Sequence, residues 1–453
     1  MARAMVHRVR LGGISFGYRV AGGVRLILAG DCNRYCPVET LRLMPKISKI
    51  LLLAVSVVLV LTVFLGVNSS GVSAASNGQD GAYRQINVYT EVLRHIQTEY
   101  VTDPNITEVT NGALRGLLES LDADSSYLTP EDYKTYKADK GGKAQAGINV
   151  SKRYGYAIVV SLVPGSPAEK AGLVDGDILE AIEGQDTRNI SLAMIRRMLE
   201  GAPGSTLTVG VVRPNKVQPD KISMTRSLTV LPPVAETQYE NASILYLKPE
   251  ILDHDHVQQV ETKLKGMQKV GNKKVLLDLR DVAAGDMEEA TRLANLLLKS
   301  GTIATLEGQK FPKQVFMADP AKVIQATAPV VVLVNRGTAG PAELVAAALL
   351  DNKRADVVGE KTFGEGAQQK TFELPDGAAL ILSVAKYESP SGKKLQDDGV
   401  TPGVLVASGA DESAGVDDDA QVDAAAPVPL KKPGVQVDEQ LTKALNLLKD
   451  KAA

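Results

Sequence analysis

Four apolar runs decide what the second half of this chain can fold into. They are "SILYLK" at 243–248, "KKVLLDLR" at 273–280, "APVVVLVN" at 328–335 and "ALILSVAKY" at 379–387. Their cores are continuous rather than alternating. A strand that is apolar on both faces must be covered on both, which is the signature of a parallel sheet flanked by helices. Helix-period segments separate them: "DHDHVQQVETKLKGMQ", "MEEATRLANLLLKSG" and "PAELVAAALLDN". Strand and helix in alternation predict a covered, largely parallel α/β sheet.

Upstream the texture changes twice. From Tyr83 to Lys137 apolar residues recur at helical spacing, and Thr129-Pro130-Glu131 marks a fresh helix start. A Gly/Lys/Ala hinge, "KADKGGKAQ", then leads into a β-rich stretch. "GINVSKRYGYAIVVSLV" reads as a hairpin, "PAEK" as a short helix ended by Gly172, "ILEAI" as a strand, "SLAMIRRMLEG" as an amphipathic helix and "STLTVGVVR" as a strand. After the sheet comes an Ala/Asp/Pro-rich linker with no apolar periodicity, and "VDEQLTKALNLLKDK" closes as an amphipathic helix.

Near the start, Lys46 and Lys49 precede an apolar run from Ile50 to Val67, followed by the small-residue site "GVSAAS" with Val72 and Ala74. A basic flank, an apolar core and a small-residue site predict a secretory signal cut near Ala74. The run is also just long enough to stay as a membrane anchor. Either way the bulk of the chain is expected outside the cytoplasm, periplasmic or at the cell surface. Residues 1–43 read as a mis-assigned extension, with Met44 opening a normal export sequence. Cys32 and Cys36 lie in that extension, and their spacing lacks the second ligand pair of a zinc site. Net charge of -2 gives no electrostatic basis for nucleic-acid binding. His254 and His256 read as a helix start capped by Asp253 or Asp255 rather than as a metal cluster, and no cofactor is expected.

Six stretches, in order, carry a family likeness: "GLLESLDADSSYLTPED", "GSPAEKAGLVDGDIL", "VLLDLR", "VVLVNRGTAGPAELVAAALLDN", "RADVVGEKTFGEGAQQ" and "YESPSGKKLQDDGVTP". From Tyr83 to Val406 the chain resembles the carboxyl-terminal processing (tail-specific) proteases. Those are exported serine peptidases with a PDZ domain set into a crotonase-like α/β core. The resemblance implies an α+β multidomain protein: an N-terminal helical region at 76–140, a PDZ-like domain at 141–231 and a peptidase-like core at 232–408. A signal or anchor at 44–75, a disordered linker at 409–436 and a C-terminal helix at 437–453 complete the expected layout.

The same resemblance assigns a Ser–Lys dyad with a supporting Gln, and here the chain departs from it. The family turn G-[ST]-A-S-A-S-E is matched by Gly337, Thr338, Ala339 and Glu343, but Gly340 stands at the nucleophile. The family's T-[FY]-G-K-G-x-x-Q is matched by Thr362, Phe363, Gly364, Gly366 and Gln369, but Glu365 stands at the lysine. The oxyanion loop "LDLRxNPGG" reads "LDLRDVAAG": Ala283 and Ala284 replace Pro and one Gly, and Gly285 remains. Acyl transfer needs an oxygen or sulfur nucleophile beside a base. Gly340 offers no side chain and Glu365 reverses the charge of the base. Loss of a nucleophile alone costs about six orders of magnitude in turnover.

Three readings of the altered site are open from sequence. Thr338 could substitute as the hydroxyl, although adjacent turn residues point apart and its hydroxyl is expected to cap the helix opening at Pro341. Glu365 could activate a water in the space left at Gly340. Glu365 could instead pair with a nearby Lys or Arg. The PDZ-like segment is the expected surviving function, because such domains add a peptide as an extra strand and hold its terminal carboxylate with backbone N–H groups. Gly147, Ile148, Asn149 and Val150 form the matching loop and edge. Ile195, Met198 and Leu199 of the facing helix belong either to the groove wall or to the core.

The sequence therefore leads to an exported, catalytically silent peptidase relative that binds peptide or protein C-termini, or another exported protease or envelope protein, with membrane contact through 50–67 if that run is uncleaved. The alternative is an active C-terminal processing peptidase with unconventional catalytic residues. Export is checked by fusing residues 44–80 to a reporter active only outside the cytoplasm. Signal is the expected result, and a reporter that stays silent while the fusion accumulates rejects export.

Overall fold

A computed structural model describes residues 8–11, 14–17, 54–57, 79–138, 144–213, 218–228, 231–408 and 438–451. The chain divides into two compact units, Met1–Thr98 and Glu99–Ala453. In the first, a hairpin pairs Arg8–Leu11 with Ile14–Gly17, and a long helix α1 runs over Gln79–Glu99. His95 on α1 faces Glu91 one turn earlier at 3.1 Å, a partner the sequence reading did not assign. Of the apolar run 50–67 only 54–57 fall among the described residues, and both cysteines lie outside them. No helix of the described residues is long and apolar enough to cross a membrane.

The second unit opens with helix α2 (Ile106–Glu119), strand β1 (Ser126–Leu128) and helix α3 (Pro130–Ala138). Thr129 and Asp132 cap α3 reciprocally: the Asp132 amide donates to the Thr129 hydroxyl at 3.2 Å, and that hydroxyl donates to the Asp132 carboxylate at 2.8 Å. A β-domain follows, built from β2 (Ile148–Arg153), β3 (Tyr156–Leu162), β4 (Ile178–Ile182), helix α4 (Leu192–Leu199), β5 (Thr206–Val212) and β6 (Asp220–Thr225). Its antiparallel sheet has the order β6-β5-β4-β3-β2, with Gln185–Asp186 paired to β4. Strand β2 is thus an edge. Ile195 and Leu199 of α4 are buried in this domain's core, with Met198 half-buried against it.

The C-terminal domain contains β7 (Ala235–Tyr239), β8 (Ile244–Lys248), α5 (His254–Val270), β9 (Lys274–Asp278), α6 (Met287–Leu297), β10 (Thr302–Glu307), β11 (Gln314–Met317), β12 (Val330–Val334), α7 (Pro341–Asp351), β13 (Ala355–Gly359), β14 (Ala367–Glu373), β15 (Ala379–Glu388), β16 (Val404–Leu405) and α8 (Glu439–Asp450). Its first sheet has the order β7-β8-β9-β12-β13-β16 and is parallel from β8 onward. The continuous apolar runs are explained by two coverings. Leu245, Leu247, Val275, Leu277, Val330 and Val332 share a core with α5, α6 and α7. Their neighbours Ile244, Leu276, Val331, Leu333 and Val358 pack against Ala444 and Leu448 of α8. The run at 379–387 is β15, which belongs instead to a second, antiparallel sheet in the order β11-β10-β15-β14, with β1 paired to β15.

Helix α8 is tied at both ends. Arg280 bridges Asp278 of β9 and the α8 cap residue Asp438, at 2.6 and 2.8 Å. The Lys274 ammonium donates to the carbonyls of Leu448 and Lys451 at 2.6 Å each, where a helix C-terminus favours a cation. Because Leu448 is fully buried, Leu448→Ala should lower unfolding free energy by about 2–5 kcal/mol in urea titration. A loss below about 1 kcal/mol would show that α8 does not seal this face in solution.

Candidate functional site

Strand β12 delivers the chain to a turn that is pinned to the loop after β9. The Asp281 amide donates to the Asn335 side-chain oxygen at 3.0 Å, and the Asn335 amide group donates back to the Asp281 carboxylate at 2.6 Å. The Ala339 amide donates to the Val282 carbonyl at 3.0 Å. Thr338 is fully buried here. Its hydroxyl donates to the Leu279 carbonyl at 2.8 Å and accepts from the Asn335 amide at 3.0 Å. The expectation that Thr338 caps α7 is therefore corrected: its hydroxyl faces back to β9, and the cap residue is Gly340.

Gly340 holds φ 55° and ψ -114°, a conformation that costs any residue with a Cβ. A sharp, strained strand-to-helix turn of this kind is how a nucleophile elbow exposes its side chain. A Cβ added at Gly340 would stand in open space, with the Glu365 carbonyl oxygen nearest at 4.0 Å. Pro341 opens α7 as a first-turn proline. In elbows of this type the amide after the nucleophile is one oxyanion donor, and Pro341 has no N–H to give.

Gly340 and Glu365 are brought together by one side chain, Glu343. Its fully buried carboxylate accepts from the Gly340 amide at 2.9 Å, from the Gly364 and Glu365 amides at 2.8 Å each, and from the Thr362 hydroxyl. Burial pushes this carboxyl up to about 7, against the pull of those four donors.

The Glu365 side chain turns to the β-domain. Its carboxylate meets the Arg196 guanidinium of α4 at 2.9 Å, so the pairing with an Arg that the sequence left open is present in the structure. Arg196 also reaches the Val150 carbonyl on edge strand β2 at 3.3 Å and the Asp124 carboxylate at 3.4 Å. Asp124 is almost fully buried, and burial, then the charge of Glu365, push it up to about 6 while Arg196 pulls it down. Gln369, on β14, donates its side-chain amide to the Asp124 backbone carbonyl at 3.1 Å. Arg153 on β2 adds a second bridge between domains, donating to the Phe363 carbonyl at 2.6 Å with its guanidinium 4.3 Å from that ring.

A cavity of about 230 Å³ joins the parts: its lining includes Gly147, Ile148, Asn149 and Val150 together with Arg196, Glu365 and Ala283. Ala284 and Gly285 are tied to the segment before α5. The Leu252 amide donates to the Ala284 carbonyl at 3.0 Å, and the Asp286 amide donates to the Leu252 carbonyl at 2.9 Å. Gly285 has φ 135°, and a Cβ there would collide with the Leu252 carbonyl. His254 and His256 lie apart from the site: Asp253 caps α5 and holds the ring of His256, which is buried rather than exposed, and His254 faces Glu289.

The sequence reading did not find Arg196, Asp124 or the missing Pro341 donor. The proline was legible, since its lack of an N–H is a property of the residue. Arg196 and Asp124 were not, because they reach Glu365 from positions 169 and 241 residues away in the chain.

A PDZ-type sheet with a free edge, docked on a two-sheet α/β core that carries an elbow turn, is the architecture of a serine peptidase with a peptide-binding module. Comparison with known proteins agrees. Residues 243–406 match peptidase family S41 and residues 158–213 match the PDZ domain. A carboxy-terminal-processing protease of Bartonella bacilliformis is 30% identical over 342 residues, covering 74% of this chain and 78% of that protein. A carboxyl-terminal-processing protease of Picosynechococcus is 34% identical over 300 residues, covering 65% and 72%. The solved photosystem II D1 C-terminal processing protease aligns with a TM-score of 0.59 at 25% identity, over 71% of this chain and 92% of that one. The chain belongs to peptidase family S41, in the carboxyl-terminal processing group.

The Glu343 shift fixes a pH dependence. A carboxyl that ionises near 4.5 when unfolded and near 7 when folded holds its proton more tightly in the native state. Its stabilising share is complete below about pH 4.5 and is lost as pH rises to about 7, by up to about 3 kcal/mol. Glu343→Gln cannot titrate. Its unfolding free energy should be lower at acid pH for want of acceptors, and should fall less steeply between pH 4.5 and 7 than the wild type. Equal slopes in denaturant titrations across that range would reject the assignment.

Proposed function

We propose that this chain is a catalytically silent member of its family, located outside the cytoplasm, that works by binding peptide or protein C-termini along the β2 edge. The observation that carries the reading is the Glu365–Arg196 pair. A dyad base must be partly neutral and must face a nucleophile. Glu365 is acidic and engaged by a guanidinium, and the residue at the nucleophile position is a glycine, with no side chain to meet it. The other hydroxyl of the turn, on Thr338, is buried and committed to β9. The amides of Ala339 and Gly340 are already bonded within the fold, and Pro341 has none, so the turn offers few donors to an oxyanion. The relatives are processing proteases, which favours the second reading, an active processing peptidase, and the test separates the two.

Purified protein incubated with an unfolded tagged substrate should yield no fragments by mass spectrometry, and no label from serine-directed probes. Gly340→Ser alone should stay inactive and cost about 1–3 kcal/mol of stability, because serine takes a strained backbone there. Gly340→Ser with Glu365→Lys should give weak cleavage, since Arg196 beside the new lysine favours its neutral form. Adding Pro341→Ala should raise that rate by restoring a donor worth about 3 kcal/mol. In parallel, a peptide ending in a free apolar residue should bind more tightly than its amidated twin, because amidation removes the charge that backbone amides capture. Clear turnover by the unmodified protein, abolished by Glu365→Gln, promotes the second reading. Equal affinity for both peptides rejects carboxylate capture.

A further inference from the structure

On the face of the second sheet turned away from the core lies a larger hollow, of about 900 Å³. That is at the upper end of what binding clefts enclose, room for several side chains rather than one. Its floor comes from strand alternation. Ala385 and Tyr387 of β15 point into the core, so Leu382 and Val384 lie on the opposite face, where Leu382 is half-buried against the cluster of Leu118 and Tyr127 and both line the hollow with Phe372 of β14. One wall is the loop after β10, Gly308 to Phe311. That wall is pressed onto the sheet, since a Cβ at Gly308 would collide with the Val384 carbonyl. Phe372 keeps 38% of its surface exposed, with the Lys370 ammonium 5.2 Å from its ring.

The rim is basic in excess of its partners. Of the charged lining residues, Glu307 is taken by Lys313 at 2.8 Å and Lys386 by Asp397 at 3.1 Å. Lys310, Lys370 and Lys394 have no carboxylate within ion-pair distance among the described residues, and the remaining lining acid, Glu388, stands opposite Lys394 across a β-bridge and acts electrostatically on Lys313, which leaves Lys310 and Lys370 in excess. Three ammonium groups around an apolar, partly aromatic floor form a surface that is complementary to one chemistry: carboxylates spaced by apolar side chains. None of these residues takes part in the site around Gly340 and Glu365.

We propose that this hollow docks an acidic peptide segment of a partner protein, its carboxylates on Lys310, Lys370 and Lys394 and its apolar side chains on Phe372, Leu382 and Val384. The docking is independent of the PDZ edge and of any catalysis. Surface ion pairs are individually weak, so three together set the expected loss on their removal at about tenfold in affinity.

The test uses the full chain and a fluorescein-labelled peptide alternating glutamate and leucine, amidated so that no terminal carboxylate can enter the PDZ edge. Fluorescence anisotropy should show binding that weakens steadily as salt rises from about 0.05 to about 0.5 M. The same peptide with lysine for glutamate should not bind. K310Q/K370Q/K394Q should lose about tenfold in affinity, Phe372→Ala should weaken binding at all salt concentrations, and Lys265→Gln, at an exposed lysine of α5 outside the hollow, should leave it unchanged. All of the lysines are exposed or at the rim, and circular dichroism melts check that the variants stay folded. Lysine peptide binding as well as glutamate peptide, or the triple variant binding as tightly as wild type, overturns the proposal. So does a protein that ignores the peptide yet sediments with phosphatidylglycerol vesicles and loses that in the triple variant, because the surface would then be one for lipid headgroups.

Discussion

A single buried carboxylate organises the centre of this molecule. Glu343 sits on the first turn of α7 with no counter-ion among the described residues, and is held by three backbone amides and one hydroxyl. Those donors come from two separate segments, the elbow at Gly340 and the loop at Thr362–Glu365. A buried carboxylate without such donors would be costly, and amides without an acceptor would be costly too. Each segment therefore holds its shape only while the other is present. The geometry of the site depends on Glu343 rather than on the side chains that stand at 340 and 365.

That separation explains how a peptidase frame persists around Gly340 and Glu365. The elbow is strained for any residue with a Cβ, and glycine removes the strain without moving the turn. The position of the base is rebuilt in a different currency. Arg196 would be a poor neighbour for a protonated lysine, but it is the natural partner of Glu365, and Asp124 on its far side adds a second carboxylate. The result is a charge cluster spanning α4, β2 and the core loop. It joins edge strand β2 to the loop that carries Glu365 by a structural contact, where a dyad would need a neutral base and open space.

Much of the fold was legible in the sequence for a physical reason. Continuous apolar strands admit few arrangements, and "VLLDL" and "VVVLV" lie in a sheet covered on both faces, with α8 as the second cover. The antiparallel sheet was less legible, because "ALILSVAKY" is apolar enough to pass for another parallel strand while its outward residues line a solvent-facing hollow. In the site, the substitutions at 340 and 365 could be read directly, since they are residue identities in a matched motif. The partners of Glu365 could not, because α4 and the Asp124 segment meet it only through the docking of one domain on another. Thr338 shows the same limit at short range: its hydroxyl was near enough to α7 to be a cap, and the pinning of the turn to β9 directs it elsewhere.

The arrangement also constrains what binding can do. Strand addition at β2 requires the carbonyls of that edge, and the Val150 carbonyl already accepts from Arg196 at 3.3 Å. Both contacts are long for a charge-assisted bond, whereas the Arg196–Glu365 contact at 2.9 Å is of ordinary length. A peptide that pairs with β2 therefore competes with the weaker of the two attachments and leaves the stronger in place. With a lysine at 365 there would be no such anchor, and Arg196 would have to find its charge partner in Asp124 alone. Glu365 thus holds the guanidinium beside the cavity of about 230 Å³, where a positive charge favours an incoming carboxylate. The residue that stands at the family's lysine position fixes the orientation of a guanidinium beside the edge strand.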